Sequence, residues 1–281
     1  MFVVLLGAIL ASQWSFVALM GVIAIGGMWE FYRMADKAGY SPMKLLGVFT
    51  GIAVFCINLA VMLFFSTQSD STGSTLIIAA LGVLVLLVPL MCICELYRKS
   101  ATPIANIASS IMGALYVALP MSLLLVIPML LGNGEGNPWI VLFYIFIIWA
   151  NDVFAYLFGI TLGRHRLFER ISPKKSWEGF FGGLGFNILF ACLFCGLMPE
   201  WWGLGSNYIF WVGLAIVVTM FSTWGDLVES LMKRTLNLKD SGNMIPGHGG
   251  ILDRIDSLLA VAPAVAIYMA VWQTVAEWLA L

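Results

Sequence analysis

The segment Ser230–Ser257 holds four basic residues, three aspartates, a histidine and four glycines, in a chain that is otherwise close to hydrocarbon. Both signs of charge beside glycines that bare the backbone suit a reaction on phosphates. Asp253 and Asp256 are three residues apart, so a helix already formed there would put both on one face. That face opens the last apolar stretch, and helix N-termini favour anions. Asp226 sits close to the inner end of the preceding apolar stretch, with Glu229 one turn on. Carboxylates brought within about 4 Å at an effective dielectric of about 20 repel by roughly 4 kcal/mol per pair. Cations resolve such a cluster. An all-oxygen donor set with no cysteine and a single local histidine favours Mg²⁺ over Zn²⁺.

Lys233, Arg234, Lys239 and Arg254 flank these acids, and Ser172, Lys174 and Lys175 lie in another polar segment, Ser172–Gly179. Arginine offers phosphate a planar fork and lysine a point charge. Gly247, Gly249 and Gly250, around His248, allow tight turns whose N–H groups can cradle phosphate. Carboxylates, a divalent cation, Lys/Arg and bare amides together make a phosphoryl or nucleotidyl transfer site. The chain has neither a Walker A loop nor a GxGxxG unit, which excludes P-loop and Rossmann nucleotide binding. Asp152 lies well inside another apolar stretch, where a carboxylate costs on the order of 2.5–3.5 kcal/mol, so it must face a cavity, a partner or a cation. Glu30, beside Arg33, is expected to form a local ion pair.

The elements that must position these residues are membrane helices. Of 281 residues, 61% are hydrophobic and only 10% charged, against about a quarter charged in soluble domains. Apolar stretches near the length of a span, roughly 20 residues, cover about 14–35, 45–65, 75–94, 104–131, 139–162, 178–198, 207–230 and 258–279. Residues 1–12 make a shorter first helix. The expected fold is therefore all-α, a polytopic integral membrane protein with eight or nine transmembrane helices in a single domain (1–281). Residues 1–135 read as scaffold, and 136–281 as the part that carries the site. Prolines 89, 120, 128 and 263 fall inside spans and suggest kinks. The pairs Gly159/Gly163 and Gly179/Gly183 suggest close helix packing.

All 14 Lys and Arg fall in four segments, Arg33–Lys44, Arg98–Lys99, Arg164–Lys175 and Lys233–Arg254. The alternate connections carry none, so the basic segments are assigned to the cytoplasm and the C-terminus to the outside. A net charge of −1 gives no global field to recruit nucleic acid. The five cysteines lie in apolar spans and read as small core side chains, Cys192 and Cys195 included.

The run from Ser230 to Asp256, through Lys233-Arg234, Lys239-Asp240, Gly242, Ile245-Pro246-Gly247-His248-Gly249-Gly250-Ile251 and Asp253-Arg254-Ile255-Asp256, resembles the defining motif of phosphatidate cytidylyltransferases, or CDP-diacylglycerol synthases. Trp149, Asp152, Ala155-Tyr156, Gly159, Gly163-Arg164-His165 and Ser172–Gly179 are similar to that family's other well-kept stretch, and Glu30-Phe31-Tyr32 is a weaker echo. The resemblance covers about residues 148–257. It implies that CTP and phosphatidate, a membrane lipid, give CDP-diacylglycerol and pyrophosphate, with Mg²⁺ (one or two cations), in a homodimer of the inner (plasma) membrane. It implies Asp226 and Asp253 as the metal pair, with Asp256 and Asp152 auxiliary. Lys233, Arg234, Lys239 and Arg254 would bind triphosphate and lipid phosphate, and His248 would donate to the leaving pyrophosphate or hold its glycine turn. Ser172, Lys174 and Lys175 would close over the nucleotide. Two other readings stay open on the residues: a CTP-dependent polyprenol or phytol kinase, and an ion-coupled transporter using Asp152 and Asp226.

Overall fold

The computed structural model describes residues 2–67, 70–130, 138–197, 207–242, 244 and 249–279. Its helices are α1 (Phe2–Ala11), α2 (Gln13–Lys37), α3 (Lys44–Thr67), α4 (Asp70–Arg98), α5 (Pro103–Gly113), α6 (Leu119–Leu130), α7 (Pro138–Leu162), α8 (Trp177–Leu197), α9 (Tyr208–Thr235) and α10 (Leu252–Leu279). A π-helical turn, Ala114–Ala118, joins α5 to α6 in one continuous span. Eight helices among the described residues are long and apolar enough to cross a membrane, as the hydropathy pattern requires. The ten residues of α1 extend about 15 Å, half of a hydrocarbon core of about 30 Å.

Local chemistry fixes the helix ends. Ser12 Oγ accepts from the N–H groups of Trp14 and Ser15 to cap α2, and Asn207 Oδ1 accepts from those of Ile209 and Phe210 to cap α9. The π turn immediately precedes Pro120. That proline has no N–H, and its ring would press on the carbonyl four residues back, so a widened turn relieves both problems. Pro89, Pro128 and Pro263 also sit inside helices.

The Pro103–Leu130 span is the most enclosed, with 67% of its apolar window buried, against 11% for α4. It packs between α3 and α10, with α2 alongside, while α4 rests mainly on α3 and turns most of its surface outward. A second group, α7, α8 and α9, packs against itself and joins the first through α9 and α10.

Glycines set the closest approaches in this second group. A methyl group at Gly179 of α8 would lie 2.5 Å from the Ala155 carbonyl oxygen and 3.2 Å from Gly159 Cα of α7. One at Gly225 of α9 would lie 2.7 Å from the Asp256 carbonyl oxygen and 2.9 Å from Ala260 Cβ of α10. The first approach borders a cavity that Asp152 and Gly179 both line; the second brings Asp226 near Asp256. Polar ties bring together the helix ends that carry the basic segments: Arg98 donates to Ser41 O at 2.9 Å, Lys175 pairs with Asp226, and Leu252 N–H donates to Glu30.

The all-helical expectation omits one small feature, an antiparallel hairpin of β1 (Arg166–Phe168) and β2 (Ser172–Ser176) between α7 and α8. The last helix also starts at Leu252 rather than 258, so Asp253 and Asp256 are helical. The cysteines are free thiols.

Gly225→Ala should separate α9 from α10. The clash with backbone outweighs the gain of roughly 1 kcal/mol in helix propensity, so a net loss of about 1–3 kcal/mol is expected. Unfolding in detergent measures it, and a variant more stable than wild type would show that the approach is not needed.

Candidate functional site

Asp226 and Glu229 lie on one face of α9, and the tight crossing at Gly225 brings Asp256 of α10 to them. One carboxylate oxygen from each lies within 4.8 Å of the others. At that spacing like charges repel by about 3.5 kcal/mol per pair for an effective dielectric of about 20. Glu229 is fully buried, and its Oε1 has no hydrogen-bond partner among the described residues. Asp152 of α7 opens onto cavities on both sides of this cluster.

Two lysines offset part of the charge. Lys175, from β2, places Nζ 2.5 Å from Asp226 Oδ2. Ser230 Oγ donates to the other oxygen of Asp226 at 3.2 Å. Lys233 Nζ lies 2.6 Å from Glu229 Oε2 and 2.8 Å from Asp253 Oδ1. Five carboxylates (Asp152, Asp226, Glu229, Asp253, Asp256) thus face two paired lysines, with Arg254 at the rim of one cavity. A divalent cation fits the donor set: three oxygens already converge, one neighbouring carboxylate oxygen lacks a donor, and negative charge remains in excess.

Asp253 is placed differently from its neighbours. Its Oδ2 accepts from the N–H groups of Ser241 and Gly250, both at 2.9 Å, and its Oδ1 takes Lys233. It ties Ser241 and Gly250 to the first turn of α10 and stands one lysine away from the Asp226–Glu229–Asp256 cluster. The Gly250 N–H, expected to be available to phosphate, is engaged by this carboxylate. Gly249 adopts φ +83°, the left-handed conformation that favours glycine.

Two cavities meet at Asp152. One, of about 270 Å³, is lined by Asn151, Asp152, Ser172, Lys174, Lys175, Thr223 and Asp226, among others. The hairpin forms one wall. Trp177 N–H closes it onto His165 O at 2.9 Å, and Glu178 accepts from His165 N–H at 3.2 Å with His165 Nδ1 at 2.6 Å. The other, of about 310 Å³, runs from Asp152, Asp253, Arg254 and Asp256 to apolar walls at Leu5, Met20, Met121, Ile145 and Ile148. The first chamber carries two lysines beside its acids, and the second combines charged groups with hydrocarbon walls.

The remaining expected residues are more scattered. Arg234 is exposed, its Nε reaching Ile171 O at 3.5 Å. Lys239 is exposed in the connection after α9. Gly247 and His248 lie outside the described residues. Glu30 corrects an expectation: among the described residues it forms no ion pair with Arg33. Arg33 is exposed, whereas Glu30 is buried and accepts from Leu252 N–H and Ser241 Oγ. On α2 it belongs to the face with Gly26 and Gly27 that packs on α10, so its partners are there.

The sequence reading left Glu229 out of the metal ligands. The spacing Asp226, Glu229, Lys233 (i, i+3, i+7) carried the signal, because it lines one helix face.

An α-helical membrane bundle with acids and lysines converging between two chambers suits an integral membrane protein that handles phosphate groups. The sequence model of the cytidylyltransferase family matches residues 1–272. The chain belongs to that family. A phosphatidate cytidylyltransferase of Rickettsia bellii is 35% identical over 184 residues, covering 64% of this chain and 76% of that protein. One of Staphylococcus epidermidis is 44% identical over 137 residues, covering 49% of this chain and 51% of its own length. One of Staphylococcus aureus is 41% identical over 142 residues, covering 49% and 51%. The chain thus spans about half the length of these two staphylococcal relatives. Membership sets the transporter reading aside.

Glu229→Gln and Asp256→Asn should each weaken Mn²⁺ binding by about tenfold or more, read by titration calorimetry or electron paramagnetic resonance. Unchanged affinity in both would remove this cluster as the cation site.

Proposed function

We propose that this enzyme forms CDP-diacylglycerol and pyrophosphate from CTP and phosphatidate, with Mg²⁺, at the cytoplasmic face of the bacterial inner membrane. The observation that carries this is the three-carboxylate cluster at the junction of a chamber that carries two lysines and one with hydrocarbon walls. A water-soluble triphosphate suits the first chamber. A lipid phosphate with its chains in the bilayer suits the second.

Asp226, Glu229 and Asp256 would hold the cation, with Asp152 beside them. Bound there, a divalent ion supplies neutralisation of the phosphate oxygens. Lys175 and Lys174 would bind the triphosphate, Lys175 exchanging its pairing with Asp226 for a phosphate, and Ser172 would donate from the hairpin. Arg254 lines the second chamber and Lys233 sits between Glu229 and Asp253, and both would orient the phosphate of phosphatidate. An oxygen of that phosphate forms a bond to the α-phosphorus of CTP as the bond to the pyrophosphate oxygen breaks. The attacking group is already an anion, so positioning and charge stabilisation matter more than a general base. Lys239 and His248 would serve the departing pyrophosphate. Asp253 ties Ser241 and Gly250 to the first turn of α10, and would join the cation ligands when Lys233 turns to phosphate.

The confinement of Lys and Arg to alternate connections supports a cytoplasmic site and an external C-terminus. The same family resemblance supports a homodimer and a single membrane-embedded unit over 1–281.

Purified protein given phosphatidate, Mg²⁺ and CTP should place an α-phosphorus label in lipid and release a γ-label as pyrophosphate. A γ-label in lipid would make the enzyme a CTP-dependent lipid kinase instead. Asp226→Asn or Asp253→Asn should abolish turnover while the protein still inserts and purifies as a single species. Lys239→Ala should raise KM for CTP or lower kcat, and wild-type kinetics would make it a lipid-headgroup anchor.

A further inference from the structure

The first half of the chain contributes a carboxylate to the catalytic half. Glu30 is 1% exposed on α2, and its Oε2 accepts from Leu252 N–H at 2.9 Å and from Ser241 Oγ at 3.3 Å. Leu252 is the first residue of α10, where a helix leaves its N–H groups unpaired and favours a negative charge. The same two segments are joined a second time by Asp253, which accepts from Ser241 and Gly250 N–H. Two carboxylates from different helices therefore bind one turn, and α10 carries Asp256 one turn further on.

The surroundings are shaped for Glu30. A methyl at Gly250 would lie 2.5 Å from Glu30 Oε2, and one at Gly242 would lie 2.7 Å from its carboxyl carbon. Two glycines on either side of the connection thus leave room for a carboxylate that arrives from 211 and 222 residues earlier in the chain. On α2, a side chain at Gly27 would crowd Val117 and Ile255, so the helix surface beside Glu30 is also cut back to admit the start of α10.

We infer that Glu30 is a positioning residue: its buried carboxylate caps α10 and ties Ser241 to that cap, fixing where Asp253 and Asp256 stand relative to Asp226. This rests on the metal-assisted transfer proposed above for the catalytic consequence, but not for the capping itself. Residues that orient ligands without touching the metal typically change affinity or activity 10–100-fold when removed.

The test compares wild type, Glu30→Gln and Ser241→Ala in detergent by hydrogen exchange, Mn²⁺ affinity and steady-state kinetics. Glu30→Gln keeps the shape and removes the charge. It should speed amide exchange selectively over 249–256, weaken Mn²⁺ binding by about tenfold, and lower kcat with a smaller effect on KM for CTP. Ser241→Ala removes one donor to Glu30 and should shift the same quantities the same way, by less. The inference is overturned if Glu30→Gln leaves exchange over 249–256 and Mn²⁺ affinity at wild-type values. It is equally overturned if exchange rises across the whole bundle while Ser241→Ala matches wild type, since that pattern is general destabilisation. Wild-type protein that makes no CDP-lipid would refute the proposed reaction, and exchange and Mn²⁺ binding would still decide the role of Glu30.

Discussion

Like charge held together at membrane depth is the constraint from which the rest of the structure follows. Asp226, Glu229 and Asp256 approach within 4.8 Å in a protein with few polar groups to spare, and their repulsion must be met on the spot. Lys175 and Lys233 meet part of it. The β1–β2 hairpin delivers Lys175, and the last turns of α9 deliver Lys233. The glycine at 225 permits the helix crossing that creates the problem, and the two lysines are part of its solution.

The same logic explains the unequal burial of the bundle. The Pro103–Leu130 span has to be enclosed, because α10 leans on it and α10 carries two of the acids. Helix α4 has no such duty and is left almost bare on its outer side, where hydrocarbon is as good a neighbour as another helix. Polar seams tie the helices that carry the site: Asn151 with Thr223, and Asn187 with Thr219, link α7, α8 and α9 by side-chain hydrogen bonds. Each is worth little by itself in a membrane, yet together they fix the rotation of three helices whose apolar surfaces are nearly featureless.

The bundle was legible in the sequence because a run of apolar residues of sufficient length has few alternatives in a bilayer. The chemistry was legible because charge is rare enough there to stand out. What escaped was pairing at a distance. Glu30 beside Arg33 looks like a neighbourly ion pair, but helix phase turns one inward and leaves the other exposed. Which face of α2 meets α10 depends on Gly26 and Gly27, and sequence spacing does not reveal their partners. Likewise Asp253 and Asp256 look equivalent three residues apart. Only the return of the chain through Ser241 and Gly250 separates them, one bound up with the backbone and one turned to the cluster. The short hairpin was hidden because three to five residues of strand carry too little periodicity to register against the surrounding turn residues.

Because the acids that meet are divided between α9 and α10, a nascent chain that has inserted only as far as α9 carries Asp226 and Glu229 with no Asp256 beside them and no α10 start for Glu30 to cap. The cluster therefore comes into being only when α10 folds back along α9. Until then the acidic face of α9 lacks its third carboxylate, and no cation-sized convergence of oxygens exists for a ligand to find.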